Sequence, residues 1–451
     1  MGQGIEKLAQ FVAGTQWEDI PARVQQHAKM IVLDTLGVIL AGSERPEVRG
    51  LRERLAPTAG TGATVFARGW PAHDPRTAGM LNTIAGRSIE LGEGHRYVSY
   101  QGAMQILPGV LAVGESCRAT GREMLCALVL GYDLGARLAG AMTMRPLAHQ
   151  NGQAALLGAA AAGARVRGLG AADVSLAVRI ATTLVLTPSY NNAINGATTL
   201  NVAGGMSGMT AALAPDLALA GFTAQQDAVE EALGSLVGDA FNADRLLDEL
   251  GTRWEITRDW FRLRACCNPI YAALDALDLA LAELEPRPED IERIDVVTFR
   301  FAAAMRNPEP PNYFASKYSF PHAAAARIVN GHTGYHSLND AALTDPNIAE
   351  LRPLVHMTDD AAMTAAAPAQ KPARLTLRLK DGRTSTHTVA SPRGDCLNPY
   401  DEAEIREKFR DLASNALTPD GVTAVAAAID RCDEWPSVAE LASLLRRHGL
   451  G

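Results

Sequence analysis

The stretch from Ile89 to Pro108, IELGEGHRYVSYQGAMQILP, sets a dense polar segment directly against an apolar run. Its polar half carries carboxylates, an imidazole and a guanidinium, and glycines such as Gly92 and Gly94 interrupt it. Glycine lets the backbone adopt positive φ and approach a ligand closely. Charged and proton-active groups in such a loop are suited to acid–base chemistry on an anion. By itself the pattern also fits a solvated loop that leads into a buried helix.

Length and composition narrow the class of protein. The chain has 451 residues, enough for one large or two medium domains, and its 47% hydrophobic and 20% charged residues are ordinary for a globular protein. A net charge of −8 gives no electrostatic reason to bind nucleic acid or an anionic membrane, so neither is expected as a partner. The six cysteines have no zinc-like spacing, which predicts reduced thiols in a cytoplasmic protein with no metal. No signal peptide or transmembrane helix is expected.

Helical periodicity covers most of the chain outside one central segment. After Pro21, apolar residues recur at helical spacing up to Gly42, which predicts one long helix. Thr120 and Glu123 have the spacing of a capping box and predict the start of another helix. Residues 188–208 are uncharged and rich in Asn and Gly. They fit either a close crossing of helices or the amide-lined wall of a pocket.

The central segment has a β pattern that the rest of the chain lacks. Residues 294–301, IDVVTFRF, form the first strong strand pattern. Residues 375–379 and 384–390 flank Asp381-Gly382, which is a strong hairpin signal.

These patterns predict a mainly α protein with two domains. We assign residues 1–259 and 393–451 to a large all-helical domain, because the C-terminal segment is helical again. Residues 260–392 are assigned to a smaller, inserted α+β domain.

Candidate functional residues lie in loops, since the chain has no phosphate-binding glycine motif and no G-x-S-x-G nucleophile elbow. Imidazole titrates near neutral pH and can transfer protons, while Arg presents a planar fork to a carboxylate. Four groups of residues offer these functions: His95 with Arg96, Arg145 with His149, Arg262 with Arg264, and Ser319 with His322. Each group alone also fits a surface or capping role.

Taken together, the motifs resemble the MmgE/PrpD family, which includes 2-methylcitrate dehydratase, cis-aconitate decarboxylase and iminodisuccinate epimerase. The resemblance extends along nearly the whole chain. It is carried by LDTLGVILAG (33–42), IELGEGHRY (89–97), HQNGQAALLGAAAAGARVRGL (149–169), SKYSFPHAAAARIVNG (316–331) and GDCLNPYDEAEIREKF (394–409).

The resemblance implies a large all-helical domain with a smaller α+β lid domain, a homodimer, and no obligatory metal or organic cofactor. The shared chemistry is proton removal beside a carboxylate, followed by loss of water, loss of carbon dioxide or reprotonation. Arginines and amides favour that chemistry by holding the developing enolate-like charge.

The resemblance also implies roles for individual residues. The candidate catalytic residues are His95, His149 and His322. The candidate substrate-binding residues are Glu90, Arg96, Gln101, Arg145, Arg262 and Tyr271.

Several positions depart from the family pattern. Gln101 stands where many members have His, and Arg262 takes a place often held by Lys. The Lys expected within residues 195–208 is missing. These departures favour a smaller or less charged acid than a methylcitrate, or a different placement of the catalytic residues.

We therefore predict a cofactor-independent lyase, dehydratase- or decarboxylase-like, that abstracts a proton α to a carboxylate of a small di- or tricarboxylic acid. One alternative is an epimerase or isomerase of a dicarboxylic (amino) acid, such as an iminodisuccinate-like compound. Another is a family member that binds carboxylates without catalysis.

Overall fold

The computed structural model describes residues 3–450 as a mainly helical protein. Its α-helices are α1 (Gln3–Gly14), α2 (Ala22–Gly42), α3 (Pro46–Leu55), α4 (Pro75–Arg87), α5 (Gly102–Cys117), α6 (Gly121–Ala141), α7 (Ala154–Val166), α8 (Ala171–Ala181), α9 (Asn191–Ile194), α10 (Thr199–Leu219), α11 (Ala228–Glu231), α12 (Tyr271–Leu284), α13 (Arg300–Ala303), α14 (Tyr313–Ser316), α15 (Phe320–Asn330), α16 (Asp340–Thr344), α17 (Pro346–Leu351), α18 (Ala361–Ala366), α19 (Glu402–Ala413), α20 (Pro419–Asp430) and α21 (Ala439–His448). Its strands are β1 (Ala63–Thr64), β2 (Ala72–His73), β3 (Gly94–His95), β4 (Met142–Met144), β5 (Gly238–Phe241), β6 (Asp259–Trp260), β7 (Ile291–Thr298), β8 (Val355–Asp359), β9 (Ala373–Leu379) and β10 (Thr384–Val389).

The chain divides into two units by its internal contacts. The helical unit contains the residues up to Tyr190, Thr199–Asp259, and the residues from Asp401 onward. The α+β unit contains Asn191–Thr198 and Trp260–Tyr400. The predicted fold class, mainly α with a smaller α+β domain, is confirmed.

Helix ends in the helical unit follow from local sequence chemistry. Helix α2 begins directly after Pro21 and ends at Gly42, as the periodicity predicts. Helix α6 has the predicted capping box: the Thr120 hydroxyl accepts the Glu123 N–H, and the Glu123 carboxylate accepts the Thr120 N–H at 2.7 Å. By length and composition α6 would be able to cross a membrane, but nearly all of it is buried inside the protein.

Small residues let the central helices of this unit approach very closely. A Cβ atom at Gly208 in α10 would lie 2.3 Å from the Gly79 carbonyl oxygen in α4. A Cβ atom at Gly158 in α7 would lie 2.6 Å from the Gly131 carbonyl oxygen in α6. Both distances are shorter than any real Cβ contact, so only glycine fits. The close helix crossing predicted for residues 188–208 is thus present at Gly208.

The α+β unit is built on a four-stranded sheet with the order β10-β9-β7-β8. Strands β9 and β10 form the predicted antiparallel hairpin around Asp381-Gly382, and α12 packs against both of them. The strand expected at 294–301 instead starts at Ile291 and ends at Thr298, because Arg300–Ala303 turn into the short helix α13. The sequence patterns did not predict strand β8, which runs parallel to β7.

The two ends of the inserted segment lie side by side within the α+β unit. Trp260 forms a β-bridge with Asp395, and the Phe261 N–H donates to the Gly394 carbonyl oxygen at 3.1 Å. The chain therefore enters and leaves this unit at neighbouring points.

Candidate active site

The first polar loop, residues 88–101 between α4 and α5, is anchored by a buried carboxyl group. Glu93 Oε1 accepts the Ala103 N–H in the first turn of α5 at 2.7 Å, and Oε2 accepts the Tyr132 hydroxyl hydrogen at 3.0 Å. Burial, reinforced by the negative charge of Asp259, raises the pKa of Glu93 to about 8. Since residues 89–95 are all buried, the solvated-loop interpretation of this stretch is wrong. Glu93 is mostly protonated at neutral pH and fixes the start of α5.

His95 is held on both sides of its ring. Its Nδ1 accepts the N–H groups of Tyr97 at 3.1 Å and Val98 at 3.3 Å, so the neutral ring carries its proton on Nε2. Nε2 lies 3.0 Å from Glu255 Oε2. Burial alone would raise the pKa of Glu255, but hydrogen bonds from His95 and Arg253 outweigh it and bring the pKa to about 2. These contacts orient the loop; the acid–base role of His95 stays a prediction.

His149 lies in the second polar loop, residues 145–153, and is also buried. Its Nδ1 accepts the Asn151 N–H at 3.2 Å, which again places the proton of the neutral ring on Nε2. The ring stacks on Tyr190, with centroids 5.4 Å apart and planes inclined by 27°. Backbone bonds from His149 to Pro188 at 2.9 Å and from Tyr190 to Leu147 at 2.8 Å pair the two segments. The imidazole is therefore fixed in orientation and tautomer.

Glutamines join the two polar loops. The Gln150 side-chain amide donates to Gln101 Oε1 at 3.0 Å, and the Gln105 amide donates to the Gln101 carbonyl oxygen at 3.0 Å. Gln105 Oε1 in turn accepts the Gly152 N–H at 3.0 Å and the Ser207 hydroxyl hydrogen at 3.1 Å. Gln101 is thus hydrogen-bonded to Gln150, the residue that follows His149 in the chain.

Glu90 lies beside a cation that the sequence reasoning missed. Arg87 Nη2 is 3.2 Å from Glu90 Oε1, and both side chains are almost completely buried. Glu90 also has a φ of +53°, which is uncommon for a residue other than glycine and occurs mostly where the surroundings require it. Arg87 ends α4 after the uncharged stretch of residues 77–86, and this isolated charge was the available signal.

The other two predicted arginines of the helical unit lie in different surroundings. Arg96 is buried, and its guanidinium carbon lies 5.5 Å from the centroid of the Tyr97 ring. Arg145 is about half exposed and lies 3.2 Å from Asp239. Its contact to β5 is a surface ion pair, and its Nη2 donates to the Ser235 carbonyl oxygen at 3.1 Å. The pairing of Arg145 with His149 and the role of Arg145 in substrate binding stay predictions.

In the α+β unit, Arg262 lies at an indole ring. Its guanidinium carbon is 4.6 Å from the Trp260 ring centroid. Lys371 Nζ lies 5.4 Å from the same centroid and donates to Asn268 Oδ1 at 2.6 Å. Lys371 comes from the segment before β9, more than 100 residues away in sequence, so no sequence pattern groups it with Arg262.

Tyr271 and His322 are both fully buried in the same unit. The Tyr271 hydroxyl donates to the Arg264 carbonyl oxygen, and burial raises its pKa well above the usual range, so it stays protonated. His322 lies in the first turn of α15, and neither of its ring nitrogens meets a hydrogen-bonding partner within residues 3–450. Burial, together with the charges of Arg352 and Lys317, lowers its pKa to about 3. His322 is therefore neutral at physiological pH.

Among the described residues, no three His, Cys, Asp or Glu side chains stand close enough together to hold a metal ion. The α+β unit has a polar groove of about 350 Å³. Its lining includes His332, His336 and Asp345, none of which the sequence reasoning selected.

Two family models match the chain. The model of the MmgE/PrpD N-terminal domain matches residues 6–242, and that of the MmgE/PrpD C-terminal domain matches residues 265–434.

Similar proteins match over nearly their full length. The cis-aconitate decarboxylase-like protein oryM of Aspergillus oryzae is 24% identical over 98% of this chain and 97% of its own. A cis-aconitate decarboxylase of Aspergillus terreus is 21% identical over 97% and 95%. The human cis-aconitate decarboxylase is 23% identical over 98% and 94%. The similarity therefore extends over both units.

Proposed function

The chain is a member of the MmgE/PrpD family, and from this premise we propose that it is a cofactor-independent lyase of a small di- or tricarboxylic acid. The reaction begins at the carbon next to a carboxylate. Loss of a proton or of carbon dioxide leaves an electron pair on that carbon, which the carboxylate delocalises as an enolate-like charge. Water leaves in the dehydratase form of the reaction, and a proton is added at carbon in the decarboxylase form.

The observation that carries this proposal is the fixed tautomer of His149. Because Nδ1 accepts the Asn151 N–H at 3.2 Å, the neutral ring presents Nε2–H as its donor. Such a donor suits a hydrogen bond to the oxygen on which negative charge develops, either the leaving hydroxyl or the enolate-like carboxylate, and losing one such donor costs about 10²–10³-fold in kcat. The relatives named as cis-aconitate decarboxylases are consistent with a carboxylic acid as substrate.

Other residues are given roles in the proposed reaction according to their contacts. Gln101, bonded to Gln150 at 3.0 Å, orients the substrate beside His149. Arg96 is the proposed carboxylate-binding cation of the helical unit, and the predicted substrate-binding role of Arg262 in the α+β unit stays a prediction. Glu93 and His95 hold the first polar loop in position.

The test is a panel of di- and tricarboxylic acids incubated with the protein in D₂O and followed by ¹H NMR. We expect a vinyl signal from loss of water, or a deuterated product with release of carbon dioxide. Exchange or inversion at the α-carbon without a new product would instead identify an epimerase. Binding without any chemical change across the panel would identify a carboxylate-binding protein and overturn the lyase proposal.

A further inference from the structure

A group of uncharged polar side chains lies buried in the helical unit next to the candidate site. We call it the amide cluster; its members, each at most 1% exposed, are Gln105, Asn151, Gln153, Asn201 and Ser207. Asn151 Nδ2 donates to the Leu200 carbonyl oxygen at 3.1 Å. This bond joins the second polar loop to the first turn of α10, where Asn201 is the next residue.

Much of the hydrogen-bonding capacity of this cluster is not used by the protein itself. Both amide atoms of Gln153, both of Asn201 and Oδ1 of Asn151 are buried and meet no hydrogen-bonding partner within residues 3–450. Buried polar atoms of native proteins are almost always satisfied, because an unsatisfied one loses its interaction with water and gains nothing. An occupant must therefore supply the missing donors and acceptors, either ordered water or a polar group of a ligand.

The position of the cluster favours a ligand over water alone. The Asn151 N–H is the donor that fixes His149, at 3.2 Å. Gln105 reaches the Gln101 carbonyl oxygen at 3.0 Å. Asn151 therefore both carries an unused amide oxygen and orients His149, while Gln153 follows in the same loop and Asn201 follows Leu200, whose carbonyl oxygen accepts the Asn151 amide.

The chemistry of the amide cluster indicates which polar group of a ligand it can bind. Its members carry no charge, and the nearby cation Arg87 is already paired with Glu90 at 3.2 Å. A buried carboxylate here would lack a compensating charge, which is strongly unfavourable. A hydroxyl both donates and accepts, and amides offer N–H donors and carbonyl acceptors in return.

We propose that the amide cluster binds a hydroxyl group of the substrate acid, with Gln153 and Asn201 as specificity-determining residues. This inference rests on the proposed function and narrows its substrate class to hydroxy acids. The cluster thus recognises a hydroxyl, and the carboxylates of the substrate bind elsewhere.

The experiment compares the binding of 2-hydroxysuccinate and succinate, which differ only in the hydroxyl, by isothermal titration calorimetry. Wild-type protein should bind the hydroxy acid about tenfold more tightly, as expected for one good buried hydrogen bond. Gln153→Met and Asn201→Leu keep the side-chain shape and remove the amide. Each should bring the affinity ratio close to one while leaving succinate binding unchanged.

Asn82→Leu is the matched control. Asn82 is also 1% exposed, but its amide is satisfied by the Phe66 N–H at 2.8 Å and the Thr64 carbonyl oxygen at 3.0 Å. This variant should have a lower Tm than wild type and keep the tenfold ratio of affinities for 2-hydroxysuccinate and succinate. Asn201→Leu should keep or raise Tm, because it removes a group with no partner in the free protein.

The outcomes separate the two proposals. An unchanged ratio in both amide variants would show that the cluster holds ordered water only, and would overturn this inference while leaving the lyase proposal standing. If the wild-type protein binds neither acid and turns over no acid of the panel, the proposed function itself fails. If Asn201→Leu does not fold, Gln153→Met still decides the question.

Discussion

At the scale of single residues, the chemistry of the candidate site depends on where one proton resides. His149 is buried against Tyr190, and its Nδ1 is occupied by a backbone N–H at 3.2 Å. The ring can therefore donate a hydrogen bond from Nε2 without rotating. Since the imidazole is already oriented in the free protein, little reorganisation is required when the substrate arrives.

His149→Phe should retain the stacking on Tyr190 and remove the Nε2 hydrogen-bond donor. We expect kcat to fall by about 10²–10³-fold with little change in KM, because the lost interaction is specific to the transition state. Turnover of the acid identified by NMR measures this. His387→Gln, which alters an imidazole paired with Glu283 at 2.9 Å, is the control and should keep full activity. A fall in kcat of less than about tenfold for His149→Phe would contradict the assigned role.

The raised pKa of Glu93 predicts that the stability of the protein depends on pH. Its pKa is 4.5 as a free side chain and about 8 in the folded protein. Between these values the folded state binds more protons than the unfolded state, so the free energy of unfolding falls as pH rises. The raised pKa corresponds to a total loss of at most about 5 kcal/mol across that window.

Replacing Glu93 by Gln removes the titrating group from this buried position. The decline in Tm between pH 5 and 8 should therefore be much smaller in Glu93→Gln than in wild type, as thermal melts across that range would show. Glu292→Gln, at an exposed strand position, should keep the wild-type slope. Equal slopes for all three proteins would mean that Glu93 is already ionised in the folded state.

Between residue and element, the sequence predicted where some candidate residues lie but not which groups they contact. The position of His149 in a polar loop follows from its motif, whereas the bond between Gln101 and Gln150 is seen only in the structure. Arg87, Gln105 and Lys371 were missed, because each lies within or beside a helix or strand where a polar residue usually faces solvent. Only the folded chain shows that these three side chains instead face other polar groups.

At the scale of elements, a buried ion pair joins the two ends of the helical unit. Lys408 in α19 lies 2.6 Å from Asp34 in α2 and also donates to the Leu91 carbonyl oxygen at 2.7 Å. The two residues lie in family-like segments at opposite ends of the chain. The periodicity predicted each helix correctly, but nothing in either helix indicated its partner.

Lys408→Met should destabilise the protein by about 3–5 kcal/mol, because it leaves the carboxylate of Asp34 buried without its cation. The double variant Asp34→Leu/Lys408→Met should recover a large part of this loss, since both charges are then absent. Urea unfolding of the two single variants and the double variant measures the coupling energy. Additive losses would show that the pair does not act as a unit.

At the scale of the whole molecule, the division into two units was visible as a change of periodicity near residue 260. The sequence placed the far boundary at 392, where the strand pattern stops. In the structure the α+β unit continues to Tyr400 and also includes Asn191–Thr198. A sequence pattern cannot show this, because residues 393–400 are assigned to the unit by their contacts and form no helix or strand of their own.

Residues 260–400 should fold as an isolated fragment. The fragment has its own four-stranded sheet with α12 packed on it, and its ends are joined by the Trp260–Asp395 bridge and the Phe261–Gly394 hydrogen bond at 3.1 Å. We expect a cooperative thermal transition by circular dichroism. A fragment ending at residue 392 lacks these closing contacts, and its Tm should be lower by about 5 °C. Equal Tm values would place the boundary at 392, and the absence of a transition in either fragment would show that this unit needs the rest of the chain to fold.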